Sequence, residues 1–247
     1  MESKLELIRT RLLRILTLAL LLSVGGVLCA LEAAPGFRLE SSDQSRIILE
    51  LQPGALEIER ESVDGTVYSR LSMAGAASSA LEGYPDLPVY AGMVAIPANA
   101  SYSVHYECSG LREISADLPL PVVAGSNRGM VLSAAYNSRQ SYPQEQVTNS
   151  GDAWLRDFRV LSLQSCPVSW DPVRGIFSSY EAIRVTIELS YPDGPATPYT
   201  TYSAAFKEIY EANILNFADF RNLVQGPQNP KALIIHGEYN NSIFNAK

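Results

Sequence analysis

The fold is decided by residues 154–189, whose sequence is WLRDFRVLSLQSCPVSWDPVRGIFSSYEAIRVTIEL. Apolar and polar side chains alternate over residues 183–189, which is the period of a β-strand with one buried and one solvent-exposed face. Residues 158–163 are apolar on both phases, and this pattern indicates a strand that is covered on both sides. The turn-forming sequence Asp-Pro-Val-Arg-Gly lies between them. The stretch is therefore predicted to form one long antiparallel hairpin, without a catalytic constellation.

The composition and the charge limit which fold classes and which classes of partner are possible. The chain has 247 residues, and 47% of them are hydrophobic, which is enough for a substantial core. Thirteen tyrosines and fifteen prolines suit strands and turns better than a helical bundle. The formal net charge of −7 argues against nucleic acid and against an anionic membrane surface. We predict a mainly β protein, an antiparallel β-sandwich, with no nucleic-acid partner and no membrane contact beyond its leader.

Residues 1–30 are typical of a Sec signal peptide. Basic residues come first, and an apolar run follows over residues 12–22. An uncleaved membrane anchor is the alternative, because the apolar stretch of residues 12–30 just reaches spanning length. We favour the cleaved signal and expect the chain from residue 31 onward to be secreted or held in the cell envelope.

Further strands are predicted at short intervals after the leader. Alternating patterns cover residues 46–51, 55–60 and 66–73, with Pro-Gly and Asp-Gly turns between them, and two more strands are predicted at 93–96 and 101–108. The pattern then weakens over residues 124–146, a long polar region of the kind that is either functional or disordered. The β-sandwich domain is placed at residues 31–200.

The remaining residues are predicted to connect this sandwich to another domain. Within the connector, residues 201–230, apolar side chains recur at helical spacing after Ser203 and predict an amphipathic segment that packs on its neighbour. These side chains are Phe206, Tyr210, Ile214, Phe217, Phe220 and Val224. Residues 231–247 contain the apolar run Ala-Leu-Ile-Ile, which is typical of the first strand of a parallel sheet. They are interpreted as the truncated start of an α/β domain.

The cysteines and histidines give no familiar site. Cys29 lies in the leader, while Cys108 and Cys166 either form one disulfide of an exported domain or remain two buried free thiols. No CxxC or His-Cys cluster is present, so we predict no metal and no cofactor. His105 falls on the polar phase of its strand and has no partner, which argues against a catalytic base. His236 lies far away in the sequence.

Two sets of motifs carry a resemblance to a known family. The order Arg156-Asp157-x-Arg159-Val-Leu is followed by Cys-Pro-Val-Ser-Trp-Asp-Pro and by Tyr180-Glu-x-Ile-x-Val-x-Ile. Upstream, the sequence from Gly83 reads Gly-Tyr-Pro-Asp-Leu-Pro-Val and is followed by Ile-Pro. Together they resemble the pro-domain of gingipain-type secreted cysteine peptidases, family C25, over roughly residues 45–226.

The resemblance implies that residues 231–247 begin the catalytic domain. The catalytic His and Cys of that family would lie beyond Lys247, so this chain alone is predicted to be inactive. The expected function is to keep a secreted cysteine endopeptidase latent and to assist its folding. The expected partner is the cognate catalytic domain, in cis or in trans.

In this family a basic side chain of the pro-domain enters the primary specificity pocket of the peptidase. The resemblance makes Arg139 and Arg128, in the polar 124–146 region, candidates for that role, with Arg174 in the hairpin turn as the third. The alternative for each is a solvated surface arginine. Activation is expected to cut near Arg221 or Lys231.

Two other hypotheses remain at this point. An exported β-sandwich module for binding or adhesion would use exposed Tyr and Trp side chains, as many interfaces do. Against it, most aromatic residues fall on strand faces that core packing already explains. A truncated reading frame is the third hypothesis, and it is compatible with the pro-domain.

Overall fold

The computed structural model describes residues 34–123, 131–220 and 222–226. The predicted leader at 1–30 and the predicted domain start at 231–247 lie outside these residues. Sixteen strands follow one another along the described chain: β1 (Gly36–Ser42), β2 (Arg46–Gln52), β3 (Leu56–Val63), β4 (Thr66–Met73), β5 (Ala77–Ser78), β6 (Pro88–Ile96), β7 (Ser101–Ser109), β8 (Arg112–Ser115), β9 (Leu118–Pro119), β10 (Val147–Leu155), β11 (Phe158–Ser165), β12 (Val168–Asp171), β13 (Ile176–Ser179), β14 (Ala182–Ser190), β15 (Thr201–Ser203) and β16 (Val224–Gly226). The described part also contains one α-helix, α1 (Lys207–Asn213), and short 3₁₀ helices at Ala134–Asn137, Ala204–Phe206 and Phe217–Phe220.

Two four-stranded antiparallel sheets form the sandwich. The first has the order β1-β2-β14-β7, and the second has the order β10-β11-β6-β5. Their inner faces meet in one core, which takes alternate residues from each strand, such as Ile183 and Val185 of β14 and Leu161 and Leu163 of β11. The mainly β, antiparallel fold predicted from the sequence is confirmed.

Smaller sheets complete the domain. The hairpin β12–β13 pairs with β8, and the hairpin β3–β4 pairs with the two-residue strand β9. The strands β15 and β16 pair in parallel near the end of the described chain. None of the helices in the described ranges is long and apolar enough to cross a membrane.

The prediction of a single long hairpin over residues 154–189 is wrong. β11 pairs with β10 and β6 in one sheet, whereas β14 pairs with β2 and β7 in the other. Pro167 comes two residues after the end of β11 and has no N–H to continue the ladder, so the chain leaves the sheet there. The predicted turn is real but local, because Asp171 and Ile176 close only the short β12–β13 hairpin.

The prediction that residues 158–163 are covered on both sides is correct. Leu161 and Leu163 face the core between the sheets, while Phe158 and Val160 face a second apolar cluster on the outer side. That outer cluster is formed with residues 199–220, which we call the C-terminal strap. The strap includes Tyr202, Tyr210, Ile214 and Phe217.

The strap is less helical than the spacing predicts. α1 ends before Ile214, whose φ of −103° and ψ of 109° are extended, and Phe217–Phe220 forms a separate 3₁₀ turn. Bonds to the sheet compete with the helix here, because the Leu215 N–H donates to the carbonyl of Met93 at 2.9 Å. Ser203 does precede the helical turns, but its side chain makes no capping hydrogen bond.

Candidate functional site

Both flanks of residues 124–130 are fastened to one glycine. The Gly83 N–H donates to the carbonyl of Val122 at 2.8 Å, and the Gly83 carbonyl accepts from the Ser133 N–H at 2.8 Å. Val122 lies just before the segment and Ser133 just after it. We call the hydrogen-bonded residues Val122, Gly83 and Ser133 the neck.

Only glycine fits at the centre of the neck. Gly83 has a φ of +79°, and a Cβ at this position would lie 2.9 Å from the backbone oxygen of Val131. The pairing continues beyond the neck, since the Val122 N–H donates to the carbonyl of Tyr84 and the Asp86 N–H donates to that of Leu120. The Gly-Tyr-Pro-Asp sequence thus pairs antiparallel with residues 120–122.

Exposed apolar side chains surround the neck. Leu81, Val123, Val131 and Leu132 are 43% to 66% exposed, and all four lie within two residues of a neck hydrogen bond. We call these four residues the apolar collar. Isolated exposed aliphatic residues are normal on protein surfaces, whereas four grouped at the base of one segment need an explanation.

The three candidate arginines have different surroundings. Arg128 lies outside the described residues. Arg139 is exposed, follows the 3₁₀ helix Ala134–Asn137, and makes no ion pair within the described parts of the chain. The Ser138 hydroxyl accepts from the Gln140 N–H at 2.9 Å and shapes the backbone around Arg139.

The guanidinium of Arg174 is already engaged. Its two terminal nitrogens donate to the two carboxylate oxygens of Glu113 at 2.7 and 3.0 Å, which ties the β12–β13 turn to β8. This hydrogen bonding lowers the pKa of Glu113 and raises the pKa of Arg174. The bidentate geometry is what a structural surface pair shows.

The Arg-Asp-Phe-Arg turn between β10 and β11 holds the C-terminal strap. The Asp157 carboxylate accepts from the Ser203 N–H at 2.6 Å and from the Tyr210 hydroxyl at 2.7 Å. Burial, followed by this bond, raises the pKa of Tyr210 and keeps its hydroxyl a donor. Arg156 lies over the ring of Phe206, 4.4 Å from its centroid, in a cation–π contact.

Phe158 is the centre of the aromatic cluster. Its buried ring lies 4.9 to 5.7 Å, between centroids, from the rings of Tyr199, Tyr210, Phe217 and Phe220. All four partners belong to the strap. Mostly edge-to-face pairs of this kind stabilise beyond the area they bury.

Arg159 is the last residue of this turn sequence, and its half-buried side chain bonds to β10 and to the loop between β6 and β7. Its guanidinium donates to the Asp152 carboxylate at 2.6 Å and to the carbonyls of Ala98 and Ala100 at 3.2 and 2.6 Å. The bond to Arg159 holds the pKa of Asp152 below its usual range. The Arg159 N–H also donates to the Tyr199 hydroxyl at 2.9 Å, so the strap is fastened here too.

Asn216 closes the open edge of β6. Its side-chain oxygen accepts from the Ala95 N–H at 2.8 Å, and its amide nitrogen donates to the Ala95 carbonyl at 2.9 Å. A neighbouring strand would satisfy the same two groups, so the buried amide substitutes for one. The strap therefore covers both a face and an edge of the second sheet.

The described residues contain no cysteine–histidine pair. Cys108 and Cys166 are both free thiols, so the disulfide alternative is not what the structure has. Burial raises the pKa of Cys166 to about 12, and its Sγ donates to the carbonyl of Val168. His105 is exposed on β7, on the face opposite to Cys108, as its strand phase predicts. No group of three potential metal ligands occurs in the described ranges.

A groove of about 760 Å³ opens over strands β5, β6, β10 and β11 of the second sheet. Residues 77–81 form one wall and residues 142–145 the other, and the floor includes Ala91, Gln164 and Cys166. The lining is mostly small and apolar. The Cys166 thiol, whose pKa is raised by burial, has no histidine beside it in this lining.

Sequence reasoning missed the two residues that organise the surface. Gly83 was recognised as part of a motif, but its hydrogen bonds to both flanks of residues 124–130 depend on long-range pairing. Asn216 gave no signal except its position within an apolar segment, where an unpaired amide would be costly to bury.

The chain is similar to solved structures of gingipains from Porphyromonas gingivalis. A structure described as the complex of RgpB pro- and mature domains matches with a TM-score of 0.63 and 21% identity, over 75% of this chain and 98% of that one. A structure on the zymogenic latency of gingipain K matches with a TM-score of 0.55 and 17% identity, over 64% of this chain and 94% of that one.

Sequence comparison identifies the family directly. No curated protein sequence matches the chain. The family model Propeptide_C25, however, matches residues 31–224, which include both fold motifs and nearly all of the described residues. The chain therefore belongs to the Propeptide_C25 family, the propeptides of gingipain-type cysteine peptidases.

Proposed function

We propose that this chain is the pro-domain of a gingipain-like cysteine endopeptidase, which keeps the catalytic domain latent and assists its folding. The observation that carries this is the family match over residues 31–224, which spans the whole β-sandwich. The free cysteines and the lone exposed histidine of the described residues fit a regulatory role better than a catalytic one.

Latency requires a group that occupies the cleft of the peptidase. Among the three candidate arginines, the surroundings favour Arg128 and Arg139 over Arg174. Arg174 would have to give up both of its hydrogen bonds to Glu113 before it could enter a specificity pocket. Arg139 is exposed without such a partner among the described residues, and Arg128 belongs to the segment whose flanks the neck holds.

Folding assistance requires a domain that folds before its client. The sandwich core and the outer aromatic cluster are built entirely from residues of the pro-domain, so a complete template exists without the catalytic domain. If the catalytic domain is refolded with and without the full chain, the yield of active enzyme should rise when the chain is present.

The two candidate activation sites differ in what surrounds them. Phe217 is buried before position 221, and β16 pairs with β15 after it, so both sides of Arg221 are fastened to the domain. Proteases bind extended, accessible segments, and this arrangement opposes binding there. Lys231 follows the linker composition Gly-Pro-Gln-Asn-Pro and is the favoured site. Mass spectrometry of the activated products would show cleavage after one or the other.

Export is proposed on the same basis. Family C25 propeptides belong to exported peptidases, and residues 1–30 have the charge and hydropathy pattern of a Sec signal. Expression in a bacterial host and N-terminal sequencing of the product should show cleavage close to residue 30 and delivery out of the cytoplasm. An uncleaved product in the inner membrane would support the anchor alternative.

The inhibitory role is tested by titration of the full chain into a gingipain-type catalytic domain. We expect loss of peptidase activity with a one-to-one end point. Arg128→Ala or Arg139→Ala should weaken inhibition by at least about a hundredfold, because an arginine that fills a specificity pocket is a binding hot spot. Arg174→Ala is the matched control and should inhibit like the wild type. Full activity at excess wild-type chain would contradict the proposal.

A further inference from the structure

Strand β7 ends the first sheet, and no other described strand pairs with its outer side. The sheet order β1-β2-β14-β7 stops here, and β7 pairs with β14 over all nine of its residues without a register shift. None of the nine residues is buried. An edge strand presents a row of unpaired N–H and C=O groups, and such a row is a template for pairing with another chain.

The other edge strands of the described chain have features that oppose this kind of pairing. β1 and β10 each contain a bulge, at which the pairing register shifts. β3 carries three carboxylates, Glu57, Glu59 and Glu61, and charged side chains protect an edge. The remaining edge strands have at most four residues. Within the described residues, β7 is therefore the edge most open to strand addition.

The exposed face of β7 carries two polar side chains without a partner. His105 and Glu107 are both exposed, and neither makes a hydrogen bond or an ion pair within the described ranges. Arg184 lies opposite Glu107 on β14, but its guanidinium is paired with the Glu40 carboxylate at 2.6 Å. Glu107 therefore remains available to a group from outside the domain.

The inner face of β7 is apolar and only half covered. Its side chains pack against the core between the two sheets and are half-buried, because β7 lies at the end of that core. They belong to Tyr102, Val104, Tyr106 and Cys108. A strand added beside β7 would cover these side chains further, which is favourable for apolar surface.

Two copies of β7 complement each other in one antiparallel register. When Tyr106 lies on the two-fold axis, His105 of each copy stands opposite Glu107 of the other, so that two imidazole–carboxylate pairs form. On the inner face, Val104 stands opposite Cys108 of the other copy and makes an apolar pair twice. A two-fold contact must be self-complementary, and this register meets that requirement.

We propose that two copies of this chain pair antiparallel through β7, which joins their four-stranded first sheets into one continuous sheet. The order His105-Tyr106-Glu107 favours a second copy as the partner, because each copy supplies both members of the charge-complementary pairs. One strand from each copy makes a small contact, so the dimer should be reversible and depend on concentration. This inference does not depend on the proposed function.

The first test changes the charge at position 105 of the full chain and measures self-association by analytical ultracentrifugation at increasing concentration. His105→Glu places like charges opposite each other twice and should weaken the dimer at least about tenfold, whereas His105→Arg should strengthen it about threefold. Ser41→Glu, exposed on β1 at the other edge of the same sheet, is the matched control and should dimerise like the wild type. A wild-type chain that stays monomeric, or a dimer that does not respond to position 105, would overturn the inference.

A covalent link tests the register. Val104→Cys places a thiol opposite Cys108 of the second copy, so oxidised glutathione should produce a disulfide-linked dimer. Within one copy, positions 104 and 108 are about 13 Å apart along the strand, which is too far for a disulfide. Ser41→Cys is the control and should remain unlinked. Mass spectrometry identifies the linked peptides, and the absence of a link from position 104 to Cys108 would overturn the proposed pairing.

Discussion

The two motifs shared with the family, Arg-Asp-Phe-Arg and Gly-Tyr-Pro-Asp, stabilise two different regions of the molecule in different ways. The Arg-Asp-Phe-Arg turn fastens the C-terminal strap mainly through the side chains of Arg156, Asp157 and Phe158. The Gly-Tyr-Pro-Asp motif fastens the neck through the backbone of Gly83, where a side chain is excluded. The strap is buried and aromatic, whereas the neck is surrounded by exposed apolar residues. The difference indicates that the strap stabilises the domain and the neck presents a surface.

The largest effect is expected at the centre of the strap contacts. Phe158→Ala should lower the free energy of unfolding by about 3–5 kcal/mol, because it leaves a cavity among four aromatic rings. Trp154→Ala, four residues earlier and 59% exposed, is the matched control and should cost about 0.5 kcal/mol or less. Urea denaturation followed by far-ultraviolet circular dichroism measures both. Equal losses of stability in the two variants would show that the buried Phe158 stabilises the domain no more than the exposed Trp154 does.

Removal of the Asp157 carboxylate should measure how much its hydrogen bonds to the strap contribute to stability. Asp157→Ala leaves the Ser203 N–H and the Tyr210 hydroxyl without their acceptor, at a cost of about 2–3 kcal/mol. Asp117→Ala is the comparison, since the exposed pair of Asp117 with Arg60 is worth about 1 kcal/mol at most. Urea denaturation of both variants, followed by circular dichroism, measures these costs. An Asp157→Ala variant with the free energy of unfolding of the wild type would show that the strap does not depend on this turn.

The neck should respond to one methyl group. Gly83→Ala combines a positive φ with a contact of 2.9 Å to the Val131 oxygen, so we expect a loss of about 2–3 kcal/mol and faster proteolysis near residues 122–133. Gly65→Ala, at a φ of +81° in the open β3–β4 turn, shares the backbone strain without the contact and should cost about 1 kcal/mol. Similar stability and proteolysis patterns for the two variants would contradict the claim that the neck excludes a side chain at position 83.

A smaller, pH-dependent effect belongs to the Arg159 network. The pKa of Asp152 is lowered in the folded protein, so its stabilisation is present above about pH 4 and is lost as the pH falls through the folded pKa. Asp152→Asn should cost about 1 kcal/mol at neutral pH and nothing once the carboxyl is protonated. Melting temperatures at pH 7 and at about pH 2 measure the difference. A constant deficit at both pH values would exclude the ion pair as the cause.

The smallest expected effect is the reactivity of the two thiols. Cys166 is buried with a pKa raised to about 12, and Cys108 is half-buried with a pKa raised by burial, so both should react slowly with a thiol reagent at pH 8. In denaturant two thiols should appear from the described residues. Mass spectrometry of peptides from unreduced protein would find a Cys108–Cys166 link if the free-thiol structure were wrong.

Local patterns predicted the strands well but not their pairing. The alternation of β14 and the two-sided apolarity of β11 follow directly from which side chains touch protein, and both are confirmed. Their assignment to one hairpin failed because pairing depends on contacts far away in the sequence. Pro167 was the available signal that β11 could not continue toward β14.

The strap and the neck were harder to predict for related reasons. Helical spacing correctly indicated that Phe206, Tyr210 and Phe217 pack together, but bonds from Leu215 and Asn216 to β6 divide the helix. The motif at Gly83 indicated an extended connection, while its two hydrogen-bond partners depend on the tertiary fold. Among the arginines, only the register of β8 and β13 reveals that Glu113 engages Arg174.

Hydrogen exchange of the full chain, alone and bound to a gingipain-type catalytic domain, tests the division between strap and neck most directly. We predict that binding adds protection at residues 81–86, 118–123 and 131–140, where the neck and collar lie. The strap at residues 199–220 should be protected in the free chain already and should change little. New protection confined to the strap, with none at the neck, would contradict the account.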